Sequence, residues 1–438
     1  MTTNERLLRN GLAAPDLLLP ANTAIERWAA VACDQFTQDK GYWKKAGDIA
    51  GDAPSTLRMI LPEAFLHDDA AVAATGAIHE TMRRYLDGGV FAQPVRGFVY
   101  VERDTPHCTG RRGIVAAVDL ERYSWSDPSA ALIRPTEGTV AERLPPRAAI
   151  RRGAPLETSH VMMLVDDPAD ALIPGIGETA RRNAPLYSGR LMQESGSVTG
   201  WLVSDAEGLA DGLERLAGDA ARRCAAGGGG GTGDPFLFAV GDGNHSLAAA
   251  KEIWEEYRRA NPGDADHPCR YALAEIVNIH DPALSFEPIH RVIFGTDFDR
   301  VVAVLSELPG FSCRPVSGRR ELAALVAEPV AGNRYGLACA GRCAVVETSA
   351  GGISTAALQP LLDARFEAES LDYIHGEDAL FDLALNAKRP AVGILLPPVR
   401  KDGFFATVTA GGPLPRKSFS MGEACEKRFY VECRRLFG

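Results

Sequence analysis

The chain has 438 residues and a formal net charge of −10, from 47 Lys and Arg against 57 Asp and Glu, which argues against a sequence-independent hold on nucleic acid or an anionic membrane. A single core stops growing near roughly 250–300 residues, so this length predicts two lobes, 1–225 and 234–438, with a glycine-rich linker or loop at 226–233 between them. There is no run of about 18 apolar residues and no charged-then-apolar start, and the nine scattered cysteines form no Cys-x-x-Cys pair. The expectation is a soluble cytoplasmic protein without a zinc site or a disulfide framework.

In chain order, Glu26–Thr37 predicts a short apolar strand ending at Asp34 and Gln35. A carboxylate there is placed to act as a base, or equally to cap the helix that holds Tyr42 and Trp43. Pro54–Pro62 predicts a further strand, Asp69–Leu86 a helix, and Gly97–Glu102 with Arg112–Asp119 a hairpin. The stretch Ile133-Arg-Pro-Thr-Glu-Gly-Thr139 is polar and is followed by Arg143, Arg147, Arg151 and Arg152. Arg134 and Thr139 suit an oxyanion, because a guanidinium fork binds one bidentately, and Glu137 is a second candidate base. The competing reading is a solvated loop with surface ion pairs. Glu157–Pro168 predicts a buried strand, Leu186–Val203 two strands around a hairpin, and 205–225 an amphipathic helix ended by the glycine run.

The densest chemistry lies in Phe236-Leu-Phe-Ala-Val-Gly-Asp-Gly-Asn-His-Ser-Leu-Ala-Ala-Ala-Lys251. The apolar run Phe236–Val240 predicts a strand covered on both faces, and Leu247, Ala250, Trp254 and Tyr257 then recur at helical spacing. Gly241 and Gly243 permit a sharp turn, Ser246 is a candidate helix cap, and a helix N-terminus offers free N–H groups to an anion. The third glycine of a dinucleotide fingerprint is missing, as is the Gly-Lys-Ser/Thr ending of a Walker loop. Asp242 beside phosphate oxygens requires a cation between them, so Mg2+ held by Asp242 is the expected cofactor. Further on, Arg270–His280 predicts a strand, Leu284–Ile293 brings His290 and Arg291 together, Leu371–Glu377 places His375 before a glycine, and Lys388–Val399 reads as a strand. Leu414–Phe429, with Arg416, Lys417 and Ser418, is basic and hydroxyl-rich in front of an expected helix, which again suits phosphate.

The order Asp34, Arg-Pro-Thr-Glu-Gly-Thr, Gly-Asp-Gly-Asn-His-Ser, Glu-Pro-Ile-His-Arg, Asp-Tyr-Ile-His-Gly and Pro-Arg-Lys-Ser-Phe resembles the family catalogued as domain of unknown function 1015, over nearly the whole chain. The Asp-Gly-x-His element is in turn similar to the Asp-Gly-His-His-Arg turn of the ParB/sulfiredoxin-like free-serine kinases. This sequence has Asn244 and Ser246 where that pattern has His and Arg, leaving the donor-phosphate clamp to Lys251, Arg291, Arg416 or Lys417. The resemblance implies an α/β protein with a mixed sheet and a ParB/sulfiredoxin-like element within a larger two-lobed chain. It also implies a small-molecule kinase that phosphorylates the hydroxyl of free L-serine. Asp242, His245, Gly243 and the helix N-terminus would hold metal and phosphoryl group, and Asp34 or Glu137 would take the hydroxyl proton. In the absence of a nucleotide loop or an assignable apolar slot for a purine, inorganic pyrophosphate is the favoured donor. Two other classes are compatible with parts of the sequence. One is a nucleotide-switched or nucleic-acid-binding ParB-like module, which the acidic charge opposes; the other is a metal-dependent hydrolase with Asp242, His245 and His290 as ligands.

Overall fold

Nearly continuous apolar runs account for the strands at the centre of the fold. Tyr271–Asn278 is buried from Ala272 onward, because it is flanked on both edges and covered on both faces. The computed structural model describes residues 1–66, 71–226, 234–385 and 389–437. It is a mixed α/β structure of two compact units, one formed by Met1–Leu284 with Glu423–Gly438 and the other by Ser285–Gly422.

The first unit is built on a sheet of nine strands among the described residues. They are β1 (Leu12–Ala13), β2 (Val99–Asp104), β3 (Arg111–Asp119), β4 (Ile133–Pro135), β5 (Met162–Val165), β6 (Tyr187–Arg190), β7 (Ser197–Leu202), β8 (Phe238–Asp242) and β9 (Tyr271–Asn278). The order is β4-β8-β5-β9-β3-β2-β7-β6, with β1 also on β3. β8 runs parallel to β4 and antiparallel to β5, and β9 parallel to β5 and antiparallel to β3, so the sheet is mixed as expected. The predicted hairpins at 97–119 and 186–203 form, as β2–β3 and β6–β7. The amphipathic helix forms as Ala206–Ala226.

The C-terminal segment is the less obvious part of this unit. Glu423–Phe437 is laid against earlier parts of the chain: Val31 bridges Phe429, Leu18 bridges Cys433, and Cys433–Arg435 pairs with Leu156–Thr158. Charges fix it from within. Buried Arg428 donates to Glu275 (3.0 Å) and Glu432 (2.7 Å), while Arg434 is bonded to Glu157. Truncating one partner of so buried a set would strand the other in low dielectric, which makes its register specific.

Four expectations are corrected. The division between units falls at 284/285 and 422/423 rather than at the glycine run, because β8 and β9, after that run, pair into the sheet begun before it. The residues 227–233 of the run lie outside the described residues. Glu26–Thr37 is no strand: Ile25–Trp28 is a helical turn, and the extended Ala29–Ala32 is held by Arg428 and Tyr430 through Ala32 N–H (3.0 Å) and Ala30 C=O (2.8 Å). Pro54–Pro62 forms a 3-10 turn at Thr56–Met59, capped by Ser55, whose hydroxyl offered the backbone a local alternative to a ladder. Among the described residues no α-helix follows Ser418; the strand Phe419–Met421 does, and then a single 3-10 turn at Ala424–Glu426.

The second unit carries seven strands among its described residues, in the order Ser312–Val316, Arg342–Thr348, Asn333–Cys339, Ala391–Leu395, Phe286–Phe294 and Leu371–His375, with Phe419–Met421 also on Phe286–Phe294. All of these neighbours are antiparallel. Helices Phe298–Leu305 and Ser354–Arg365 pack in one apolar cluster with Tyr335, Leu337 and Ile394, and Arg319–Ala327 and Glu377–Leu385 in another with Val292, Val345 and Leu395.

Candidate functional site

The turn after β8 sets the geometry. Pairing of β8 with β5 shifts between Val240 and Asp242, an irregularity of the kind that re-aims a side chain at a strand end. Gly243 then has φ +79°, and a Cβ there would lie 3.0 and 3.1 Å from Val161 atoms and 3.4 Å from Nε2 of His160. Both the angle and the space therefore call for glycine. The helix Asn244–Ala260 starts at once, favoured by the Leu-Ala-Ala-Ala-Lys run, and ends at Asn261 before Pro262. Leu247 N–H is bonded to Gly243 C=O (3.0 Å), so the N–H groups of Asn244, His245 and Ser246 form the positive first turn. Ser246 is not the cap: the cap position is Gly243, without a side-chain bond, and Ser246 instead lines a cavity.

Around this turn the first unit gathers two carboxylates and five further polar side chains. Asp242 Oδ1 accepts from Gly243 N–H (3.1 Å), while its Oδ2 lies 3.7 Å from Nζ of Lys427 and makes no hydrogen bond. Asn244 Oδ1 is likewise buried without a hydrogen bond. Asp34 Oδ1 accepts from the Gln35 amide (3.0 Å), and Oδ2 stands 3.5 Å from Nε2 of His160. The other ring nitrogen of His160 shares a hydrogen bond of 2.6 Å with the Tyr430 hydroxyl, which also accepts Cys33 N–H (3.3 Å). Asp39, not Asp34, caps the helix that holds Tyr42 and Trp43, which leaves the Asp34 carboxylate to this cluster.

The two carboxylates are pushed apart in acidity. Burial raises Asp34, but the charge and hydrogen bonding of His160, the Gln35 amide and the Lys427 charge outweigh it and hold Asp34 well below the usual carboxylate range. Burial raises Asp242 too, and there the Asp34 charge adds to it, so Asp242 stays above the usual range despite Lys427, His160 and the Gly243 N–H. Separated values in neighbouring acids are the arrangement by which one site holds a permanent anion and a proton-sensitive group together.

The loop after β4 joins the same turn. Thr136 donates both its N–H (3.3 Å) and hydroxyl (2.7 Å) to Val240 C=O, and Val140 N–H donates to Nε2 of His245 (3.2 Å). Segments 134–139 and 241–246 are thus brought together, with Glu137 and Thr139 half-buried in that loop. Arg134 is occupied otherwise: Nε and Nη2 donate to Ala131 and Asp234 carbonyls (2.8 and 3.3 Å), and the guanidinium lies over Phe236. Lys251 donates to Leu120 C=O (2.9 Å) and pairs with Glu255, more than a turn along the helix from its start. Behind Ser246 and His160, a cavity of about 120 Å³ is lined mainly by apolar side chains, including Met59, Ile60, Met82 and Ile150.

The remaining expected residues belong to the second unit. His290 accepts Leu396 N–H at Nδ1 (3.1 Å), and burial with the Arg291 and His375 charges lowers it to about 4. Arg291 is buried, donates to Gln359 (2.7 Å) and stacks on Tyr373. Ser418 is buried and donates to Pro415 C=O (2.6 Å), whereas Arg416 and Lys417 are exposed and Lys417 has φ +60°. With one nitrogen of His245 and one of His290 already engaged by backbone, the hydrolase ligand set loses support. His160, Lys427 and Tyr430 were not singled out in the sequence; the signal was a His beside the Val-Met-Met-Leu-Val strand and a Lys-Arg-Phe-Tyr run, neither of which names a site alone.

No curated protein matches the chain. Among solved structures, a free serine kinase in complex with AMP matches at 12% identity and a TM-score of 0.37, over 76% of this chain and 95% of that one. A conserved hypothetical protein from Pyrococcus furiosus matches at 12% identity and 0.35, over 74% and 95%. SbnI with a C-terminal truncation, from Staphylococcus aureus, matches at 9% and 0.37, over 72% and 85%. At TM-scores this low the likenesses carry no argument about activity. The model of the family described as "Protein of unknown function (DUF1015)" matches residues 16–365, and the chain belongs to that family.

Proposed function

We propose that the first unit transfers a phosphoryl group to the hydroxyl of a free amino acid, with L-serine as the acceptor. The reading rests on one observation: Asp34, kept ionised, and Asp242 lie close to each other, to Lys427 and His160, and to a helix N-terminus. Phosphoryl transfer asks for these parts and for little covalent chemistry by the protein. The acceptor oxygen attacks phosphorus, the bond from phosphorus to the donor's leaving oxygen breaks, and the hydroxyl proton passes to Asp34. His160 holds the Asp34 charge, and Tyr430 fixes the ring of His160. Lys427 and the N–H groups of Asn244, His245 and Ser246 neutralise the phosphoryl oxygens as charge shifts between them.

Asp242 Oδ2 and Asn244 Oδ1 are oxygen donors without hydrogen bonds, a set that fits a hard ion such as Mg2+ completed by phosphate oxygens and water. That ion, when bound, would supply further charge neutralisation between Asp242 and the phosphates. Pyrophosphate needs phosphate contacts alone and was favoured by the sequence, whereas a nucleotide needs an apolar slot for its base, for which the cavity behind Ser246 is a candidate. The test is incubation with Mg2+, L-serine and either pyrophosphate, ATP or ADP, with phosphoserine followed by mass spectrometry. Product with one donor supports the reading and names the donor; none with any donor removes it.

A further inference from the structure

We propose that His107, Glu423 and Cys425 form a binding site for a borderline divalent cation, Zn2+ in the first instance. Each offers one ligand atom, and the three atoms all lie within 4.8 Å of one another. Bonds of about 2.0–2.3 Å in a tetrahedral site put ligand atoms roughly 3.5 Å apart, so the closing movement required is about an ångström. Half of the His107 side chain and two thirds of the Glu423 side chain are exposed, and the Glu423 carboxylate, which takes part in the capping box of Ala424–Glu426, would exchange that contact for the cation. Imidazole, thiolate and carboxylate together are the donor types zinc takes, and three protein ligands leave a fourth position for water.

The backbone that carries the ligands is held rigidly from beneath. His107 lies in the loop joining β2 to β3, where the Thr105 hydroxyl accepts its N–H (3.2 Å) and donates to Oε1 of buried Glu426 (2.7 Å). The other carboxylate oxygen of Glu426 accepts Glu423 N–H (2.9 Å), and buried Arg103 donates to Cys425 C=O (3.0 Å). One hydrogen-bonded chain therefore fixes the loop and the 423–425 turn against each other, so that side-chain rotation alone completes the site. Without a cation, Nε2 of His107 lies 3.4 Å from Oε2 of Glu423. A bound dication takes the Cys425 sulfur as thiolate, releasing a proton. Lys427 and Tyr430 follow on the same segment, so the cation would stiffen the strand of chain that feeds the candidate active site.

The experiment is titration of the metal-free full chain with Zn2+ against a chromophoric chelator, together with Co2+ absorption. One equivalent per chain is expected, with a thiolate-to-cobalt charge-transfer band. His107→Ala and Cys425→Ser should each abolish the stoichiometric site, while Cys313→Ser, at an exposed cysteine of the second unit, should keep it. Circular dichroism of His107→Ala, an exposed position, checks that loss of metal is not loss of fold. No stoichiometric binding, binding without the charge-transfer band, or binding that persists in either variant would overturn the proposal.

Discussion

Nζ of Lys427 stands 3.7 Å from Oδ2 of Asp242, although the whole of the second unit lies between the two residues in sequence. A buried ammonium beside a carboxylate that the same burial drives towards its neutral form is a poor stabilising pair and a good anion site. Replacing Lys427 with Met should keep most of the packing volume and remove the charge. Phosphoserine formation is expected to fall by about 100-fold or more, as for loss of one preorganised positive donor. Steady-state rates with the variant's melting curve measured alongside would check this; a large fall in melting temperature at unchanged rate would make Lys427 structural.

Asp242→Asn should abolish turnover without lowering stability at neutral pH. Its proton is held to higher pH in the folded chain than the unfolded value of about 3.9, so the wild type loses stability as pH rises between those two values. The amide removes that loss. The variant's melting temperature is expected to equal or exceed the wild type's at pH 7 and to lose any advantage near pH 4. A deficit of many degrees at pH 7 would show Asp242 to be a turn-capping residue instead.

Asp34 has the opposite sign. Held below the ordinary range, it contributes stability that is present above about pH 3.9 and disappears as pH falls through its folded value. Asp34→Asn is expected to reduce turnover by about 10²–10⁴-fold, the usual worth of a general base. The wild-type rate should show no acid limb in the ordinary carboxylate range from this group. Rates from about pH 3.5 to 8 for both proteins test it, and an unchanged rate in the variant would pass the role to Glu137.

Tyr430→Phe deletes the hydroxyl between His160 and Cys33 N–H. Leaving buried polar partners unpaired costs about 1–3 kcal/mol, to be read from urea denaturation. Turnover per folded molecule should fall as well, since the His160 ring loses its anchor.

Gly243→Ala tests the turn itself. A left-handed backbone costs an L-residue roughly 1–2 kcal/mol, and the new methyl would press on Val161. Loss of turnover with a cooperative but destabilised unfolding curve is expected; wild-type stability would mean that the turn relaxes freely.

Much of this protein was determined by local sequence. The β2–β3 and β6–β7 hairpins, the strand-to-helix turn at Asp242–Ser246 and the Leu247, Ala250, Trp254 stripe all follow from side-chain period and glycine position, which act over a few residues. Asp34 and Asp242 were legible as candidates because short-range pattern marks a polar residue on an apolar element. Tertiary structure alone decided which other groups meet them. His160 joins through the gap between Leu156–Thr158 and β5, and Lys427 and Tyr430 arrive on a segment whose register is fixed by the buried pairs Arg428–Glu275 and Arg434–Glu157. Such pairs are non-local and leave no periodic trace, so the sequence could not show that Arg134 and Lys251 would be taken up by carbonyls. Nor could it show that the chain divides after Leu284 rather than at the glycine run. The physical reason is the same in each case: local conformation is set by neighbours along the chain, while a buried charge finds its partner only after the core has closed around it.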